Sequence, residues 1–358
     1  MNEGNRVVKN AFWIVGAQVV KALLGLVISM FTARYLGPSN YGLINYAASI
    51  VAFAAPIMYL GLKNILVQEI VTAPHREGTT LGTSICLSFC SSILCIAGIA
   101  AFVSIANAGE RETLIVCLLY SVLLIFQSVE LIVYWFQARL LSKYSSVVSL
   151  FAYILVSGYK AFLLIAGKGI YWFAVSNAID YCIIAGALLF IYHKKGTQRL
   201  RFSWETAKEL LGRSKYYIVS NLMIVIYGQT DRIMLKLMIG DVETGYYSAA
   251  AYCAGLSSFV FTAIIDSMRP VIFKRKRESE SAFETSVIQL YSIVICLAVT
   301  YSAAMSVCAP LVVHILYGKD YLAAIPALQI IVWYCTASYL GGARDIWILA
   351  ENQQKSLL

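Results

Sequence analysis

A few ionisable side chains fall inside long apolar runs of this 358-residue sequence: Lys21, Glu130, Lys160, Asp180, Asp231, Arg232 and Lys236, with Asp266 and Arg269 near the end of another run. An ionised group in hydrocarbon costs several kcal/mol unless it faces water or a partner, which makes each a candidate for function. The cations Lys21, Lys160, Arg232 and Lys236 have the chemistry to hold an anionic substrate, because ammonium and guanidinium groups form charge-assisted hydrogen bonds to phosphate oxygens. The carboxylates Glu130, Asp180 and Asp231 have the chemistry to take up a coupling proton or sodium ion. A purely structural use stands beside each of these. Arg232 and Lys236 sit one helical turn apart next to Asp231, and Asp266 with Arg269 has the i,i+3 spacing of a helical ion pair, the use we favour for those two. Lys21 and Lys160 have no acid at helical spacing in their own segments. Asp180 fits an ion site or a partner for one of those lysines equally well.

Catalytic signatures are missing from the sequence. There is no nucleophile elbow, metal-binding pair or phosphate loop. The nine cysteines all lie in apolar segments, with no C-x-x-C and no histidine at ligand spacing, so they read as small hydrophobes. The expectation is a protein without cofactor or metal and without enzymatic activity.

The elements that must position these groups follow from composition. Hydrophobic residues make up 60% of the chain and charged residues 13%, against about 25% charged in soluble domains. Apolar runs of the length that crosses a bilayer as a helix recur from near residue 11 to near residue 343. They are continuously apolar, as in Ser84 to Ala101, where a β-barrel needs alternation in segments of about 10 residues. The fold class is therefore all-α, a polytopic transmembrane bundle. Ten spans are expected: 11–33, 41–62, 81–106, 113–136, 145–167, 170–192, 215–238, 245–268, 287–314 and 322–343. The first is a retained helix, because Arg34 and Tyr35 follow it instead of a small-residue cleavage site.

Charge sets the expected orientation. The even-numbered loops carry most of the Lys and Arg: Lys63 and Arg76, then Arg139 and Lys143, then Lys194, Lys195, Arg199, Arg201, Lys208, Arg213 and Lys215, then Lys274 to Arg277. The odd-numbered loops carry only Arg34, Arg111, Lys168 and Lys319. Short basic loops stay in the cytoplasm, which places both termini inside. The net charge of +9 is thus explained by topology and implies no nucleic-acid partner.

The most basic connection, 193–214, places Trp204, Ala207, Leu210 and Leu211 at helical spacing and reads either as an interfacial amphipathic helix or as a solvated linker. It divides the chain into a six-helix lobe (1–192) and a four-helix lobe (215–358). An internal repeat supports that division. Arg34 to Gly42 matches Leu237 to Gly245 in glycine spacing, and Lys9 to Gly16 matches Arg213 to Ser220 at nearly the same offset. A parallel repeat of this kind predicts two lobes about a central cavity. Gly37, Pro38 and Gly240 read as helix-end punctuation. A complete second lobe would need helices 11 and 12, and the expectation is that this lobe is incomplete or the product truncated.

The segments ARYLGPSNYG (33–42), YWFQA (134–138), DRIMLK (231–236) leading to GYYSAA (245–250), and LYGKDY (316–321) resemble the polysaccharide biosynthesis transporters. Within that family the chain looks like a Wzx-type O-antigen flippase of the multidrug/oligosaccharidyl-lipid/polysaccharide exporter superfamily. The resemblance implies a MATE-like fold of two six-helix lobes with a cationic cavity, in a bacterial cytoplasmic (inner) membrane. It implies translocation of undecaprenyl-pyrophosphate-linked repeat units to the periplasmic leaflet, with a proton or sodium ion as coupling ion and an O-antigen polymerase and chain-length regulator as partners. Two other readings stand beside it: a cation-coupled multidrug exporter on the same fold, which would favour acidic cavity residues, and a non-transporting scaffold of the polysaccharide assembly complex.

Overall fold

The computed structural model describes residues 3–196 and 198–350, and every regular element among the described residues is helical. In chain order these are α1 (Glu3–Met58), α2 (Leu66–Thr72), α3 (Glu77–Ala106), α4 (Arg111–Ser121), α5 (Leu123–Glu130), α6 (Ile132–Ala138), α7 (Ser142–Ile165), α8 (Ile170–Lys195), α9 (Trp204–Met238), α10 (Asp241–Ala254), α11 (Ser258–Glu278), α12 (Glu280–Tyr317) and α13 (Ile325–Ala350), with short 3-10 turns between some of them. Lipid is as apolar as leucine, so burial from water cannot hold such helices together; close packing and internal hydrogen bonds must. The side-chain distribution shows this. Large apolar groups such as Ile105, Ile165, Val307 and Ile330 point outward, while Thr83, Ser84, Ser88 and Ser92 on α3 are buried.

Among the described residues, eight helices are long and apolar enough to cross a membrane. Two features separate this number from the ten expected spans. The first two expected spans are both present as helices that meet at a kink at Gly37, but with no loop between them they count once, as the stretch Gly16–Met58. There the backbone takes φ +73°, open to glycine at little cost, and Pro38 follows where its missing N–H is harmless at a new helix start. The second feature is α9, which corresponds to the seventh expected span but carries Lys215, Asp231, Arg232 and Lys236 and is not apolar enough to qualify. Gly240, with φ +139°, separates α9 from α10 as Gly37 divides α1, so the two glycines of the repeat both end helices.

Packing divides the chain into two compact units, Met1–Thr244 and Gly245–Leu358. The boundary falls beyond the basic connection at 193–214, because α9 packs along α1 and α3 of the first unit. The expected amphipathic helix is the opening of α9. Ser203 caps it by accepting from Thr206 N–H at 3.3 Å, and Ala207 and Leu210 are buried while Trp204 is exposed.

The chain just before that cap lies along α3. Gln198 Oε1 accepts from Gly78 N–H at 3.0 Å, and Ser203 N–H donates to Thr83 Oγ1 at 3.0 Å. A Cβ at Gly82 would come within 2.6 Å of the Arg201 backbone. Gly82→Ala is therefore expected to destabilise the first unit by about 1–3 kcal/mol, the usual range for overpacking. A lower thermal unfolding midpoint in detergent checks this; an unchanged midpoint would show that the strap is free to lift.

Loops assigned by charge to one side meet each other in this unit. Glu69 pairs with Arg213, Arg76 with Glu209 at 3.8 Å, and Arg139 with the fully buried Glu77. Tyr35 Oη donates to the Lys168 carbonyl at 3.2 Å, joining two loops of the other set. In the second unit α11, α12 and α13 pack around Phe261, Phe283, Leu290, Val294 and Ile346. Phe261 stacks on Tyr339 with ring centroids 3.9 Å apart, and Ser302 Oγ donates to the Val332 carbonyl at 3.0 Å. Asp266 and Arg269 form the expected pair at 3.2 Å.

Candidate functional site

All seven candidate site residues lie in the first unit, and four of them gather among α1, α5, α7 and α8. Lys21 on α1 and Glu130 at the end of α5 line one polar cavity of 280 Å³ with Gln18 and Gln137. A helical face of hydroxyls on α7, Ser142, Ser145, Ser146 and Ser149, forms its opposite wall. Their spacing of i, i+3, i+4 and i+7 is that of one helix stripe. Lys21 Nζ donates to Ser149 Oγ at 2.7 Å and lies 5.4 Å from the centre of the Tyr153 ring, a cation over an aromatic face.

Glu130 also lines a second cavity, of 210 Å³, with Tyr59, Lys63, Tyr134 and Gln137. The carboxylate thus stands between two polar spaces. Tyr59 Oη donates to its Oε2 at 3.5 Å, and Lys63 Nζ lies 3.4 Å over the Tyr59 ring. Lys63 lies in a turn outside the spans, where burial pushes its ammonium down to about 8 against the opposing attraction of Glu130.

Asp180 and Lys160 complete the cluster. Asp180 on α8 lies within electrostatic reach of both Lys21 and Lys160, and its Oδ1 is buried with no hydrogen-bond partner. Lys160 on α7 donates to Asn177 Oδ1 at 3.2 Å on the neighbouring helix and does not line the cavity that holds Lys21.

The three candidates on α9 are used differently. Arg232 Nη1 donates to Gln229 Oε1 at 2.7 Å, and Asp231 Oδ1 accepts from the Arg232 backbone N–H at 2.7 Å. Lys236 is buried, and its ammonium pairs with Glu110 at 2.7 Å and Asp241 at 2.8 Å. Its two partners lie on different connections, so this lysine pins the end of α9 to the α3–α4 loop. Glu110 in turn accepts from Thr113 Oγ1 at 2.7 Å, and Asn107 Oδ1 accepts from Tyr46 Oη at 2.7 Å.

Sequence reasoning took Lys63 only as a topology charge and passed over the serine stripe. The stripe was visible as i, i+3, i+4 and i+7 hydroxyls in a span. Nothing in the sequence marked Lys63 or Glu110, whose roles depend on elements far apart in the chain.

A family model described as "Polysaccharide biosynthesis protein" matches residues 7–276. No curated protein matches the sequence. Among solved structures, a multidrug resistance MATE family transporter of the MOP superfamily in an inward-facing conformation superposes with a TM-score of 0.66 at 15% identity, over 92% of this chain and 81% of that one. The eukaryotic MATE transporter AtDTX14 gives 0.63 at 16% identity, over 97% and 84%. A MOP superfamily transporter from Pyrococcus furiosus, described as having a binding pocket of reverse polarity that suggests a different function, gives 0.57 at 14%, over 96% and 82%. The fold is MATE-like.

Proposed function

We propose that this chain, which belongs to the polysaccharide biosynthesis protein family, is a flippase that carries undecaprenyl-pyrophosphate-linked polysaccharide repeat units across a bacterial inner membrane. Family and fold are those of membrane transporters. The observation that supports this cargo is the cavity in which Lys21 stands opposite a stripe of serines. An ammonium binds a phosphate oxygen, and hydroxyls in a row exchange hydrogen bonds with a sugar. Lys21 is the substrate contact, and Lys160 acts through Asn177 and Asp180. Arg232 remains a proposed anion contact, whereas Lys236 is held by two carboxylates.

Glu130, between two polar spaces, and Asp180, with an unpartnered oxygen, are the proposed coupling-ion groups; Asp231 serves as a second choice. Export is expected to collapse on addition of a protonophore or on removal of sodium. Transport unaffected by either treatment would remove the coupling role. O-antigen as the particular polysaccharide, and association with its polymerase and chain-length regulator, follow from the same reading.

The direct test is complementation of a flippase-deleted, O-antigen-producing strain that makes the matching repeat unit. Restored long-chain polysaccharide on a gel supports the reading. Failure with the protein inserted and a relative active in parallel would overturn it. One observation favours a second reading: the Glu130 carboxylate in the same cavity suits an organic cation, as in a multidrug exporter. Raised resistance to cationic drugs without restored polysaccharide would decide for that alternative.

A further inference from the structure

A second, much larger space lies in the first unit between α1, α3 and α9. This cleft of 790 Å³ is lined by Ile50, Ile57, Leu94, Gly98, Phe102 and Ile233 among others, and its walls are almost wholly apolar. The few polar groups in the wall are satisfied by helix carbonyls. Ser91 Oγ donates to the Ile57 carbonyl at 3.2 Å, and Thr230 Oγ1 to the Ile226 carbonyl at 2.6 Å. The hydroxyl donors of the wall are thus engaged, and the cleft presents a sugar with little to bond to. From Leu222 to Ile233 it follows α9 for ~16 Å at about 1.5 Å per residue, roughly half of a hydrocarbon core.

A cation lies beside one end of the cleft, next in the chain to the lining residue Ile233. Ser49, next to Ile50, donates to Gln229 Oε1 at 3.0 Å, and Arg232, next to Ile233, donates to the same oxygen at 2.7 Å. Arg232 Nε is buried there with no partner. An apolar trough with a guanidinium beside its end, one nitrogen of which has no partner, is complementary to a lipid anion, with the chain in the trough and a phosphate on the cation. A bilayer phospholipid keeps its phosphate at the interface. Arg232 and Ser49 instead lie ~10 Å inside their apolar runs, at the helical rise per residue. Only a lipid whose head is drawn into the membrane brings a phosphate to that depth.

We propose that this cleft holds the isoprenoid chain of a polyprenyl pyrophosphate during transit, with Arg232 meeting the phosphate. The inference rests on the flippase reading and adds the place of the tail. The trough runs from Arg232 toward Leu60, the end that charge asymmetry assigns to the cytoplasm, so the head advances while the tail still trails in the leaflet it is leaving.

The test uses the full chain in nanodiscs of phosphatidylethanolamine and phosphatidylglycerol, with a diazirine-bearing polyprenyl pyrophosphate and peptide mapping of the adducts. Adducts on Ile57, Leu94, Phe102 and Leu222 are expected, competed by unlabelled polyprenyl pyrophosphate and not by phosphatidylglycerol. A Cβ at Gly98 meets nothing within 4 Å, so Gly98→Phe fills the cleft without a backbone clash. It should cut cleft labelling at least tenfold, while Ile105→Phe, at a position 80% exposed outside the cleft, leaves labelling unchanged. Saturable binding with adducts elsewhere overturns the tail site and leaves the flippase reading standing. Cleft labelling by a diazirine phosphatidylglycerol to the same extent assigns the cleft to bulk lipid and overturns it too. Absence of any saturable polyprenyl binding overturns both.

Discussion

Lys21→Ala is expected to insert at the wild-type level and to lose export by at least tenfold; Lys21→Ala with Lys160→Ala is expected to lose roughly a hundredfold. The first figure corresponds to one charge-assisted contact of about 1.5 kcal/mol, and the second adds about as much again for the Lys160 hydrogen bond to Asn177 and its charge beside Asp180. The two lysines differ in how the loss arises. Lys21 lines the cavity and donates to Ser149, so its removal deletes a contact open to substrate. Lys160 bonds Asn177 across to α8, so its removal leaves Asp180 with one cationic neighbour fewer. Adding Asp180→Asn should therefore recover part of the Lys160→Ala loss and none of the Lys21→Ala loss. Lipid-linked and surface polysaccharide scored on gels, beside membrane-fraction immunoblots, separates these outcomes. Wild-type export by the double variant would sink the assignment of both lysines.

The second large effect is on stability. Lys236→Met is expected to destabilise the first unit by roughly 2 kcal/mol, the scale of hydrogen bonds to charged groups, discounted because Glu110 is half exposed. The buried ammonium holds two carboxylates from different connections, and methionine matches its length without its charge. A pH signature distinguishes this from lost packing. Burial would raise the Glu110 carboxyl, but hydrogen bonds from Lys236 and Thr113 outweigh it and hold the group below its ordinary value of 4.5. A carboxylate held below its unfolded value contributes stability present above about pH 4.5 and lost as pH falls through the folded value. The unfolding midpoint of the wild type should therefore drop over that acid range, and the Lys236→Met profile should be flatter. Parallel profiles would show that Lys236 serves through its packing alone.

The sequence by itself determined the solvent and the helices. Continuous apolar runs near 20 residues long leave the backbone no way to satisfy its N–H and C=O groups in lipid except within helices, so the all-α bundle was legible without tertiary information. Helix ends were legible too. A Gly-Pro pair at 37–38 and Gly240 favour backbone that interrupts a helix, and both do so. The loop sets read from charge also hold as groups, with Arg76, Arg139 and Arg213 meeting acids from connections of the same set.

What spacing along one helix could not decide was which charges share a space. Lys21 and Lys160 have no acid at helical spacing in their own segments, yet Asp180, brought in on α8, stands near both. Arg232 and Lys236 are one turn apart, yet one ends at Gln229 and the other between Glu110 and Asp241. Electrostatic partners are chosen by distance in space, which falls off within a few ångströms, whereas sequence shows only neighbours three or four residues away on the same helix. The serine stripe on α7 was periodic in the sequence, but only the packing of α1 and α5 against it makes that stripe the wall of a cavity. The large apolar cleft had no sequence signal, because a leucine lining a trough and a leucine facing lipid are chemically identical until the third helix is in place.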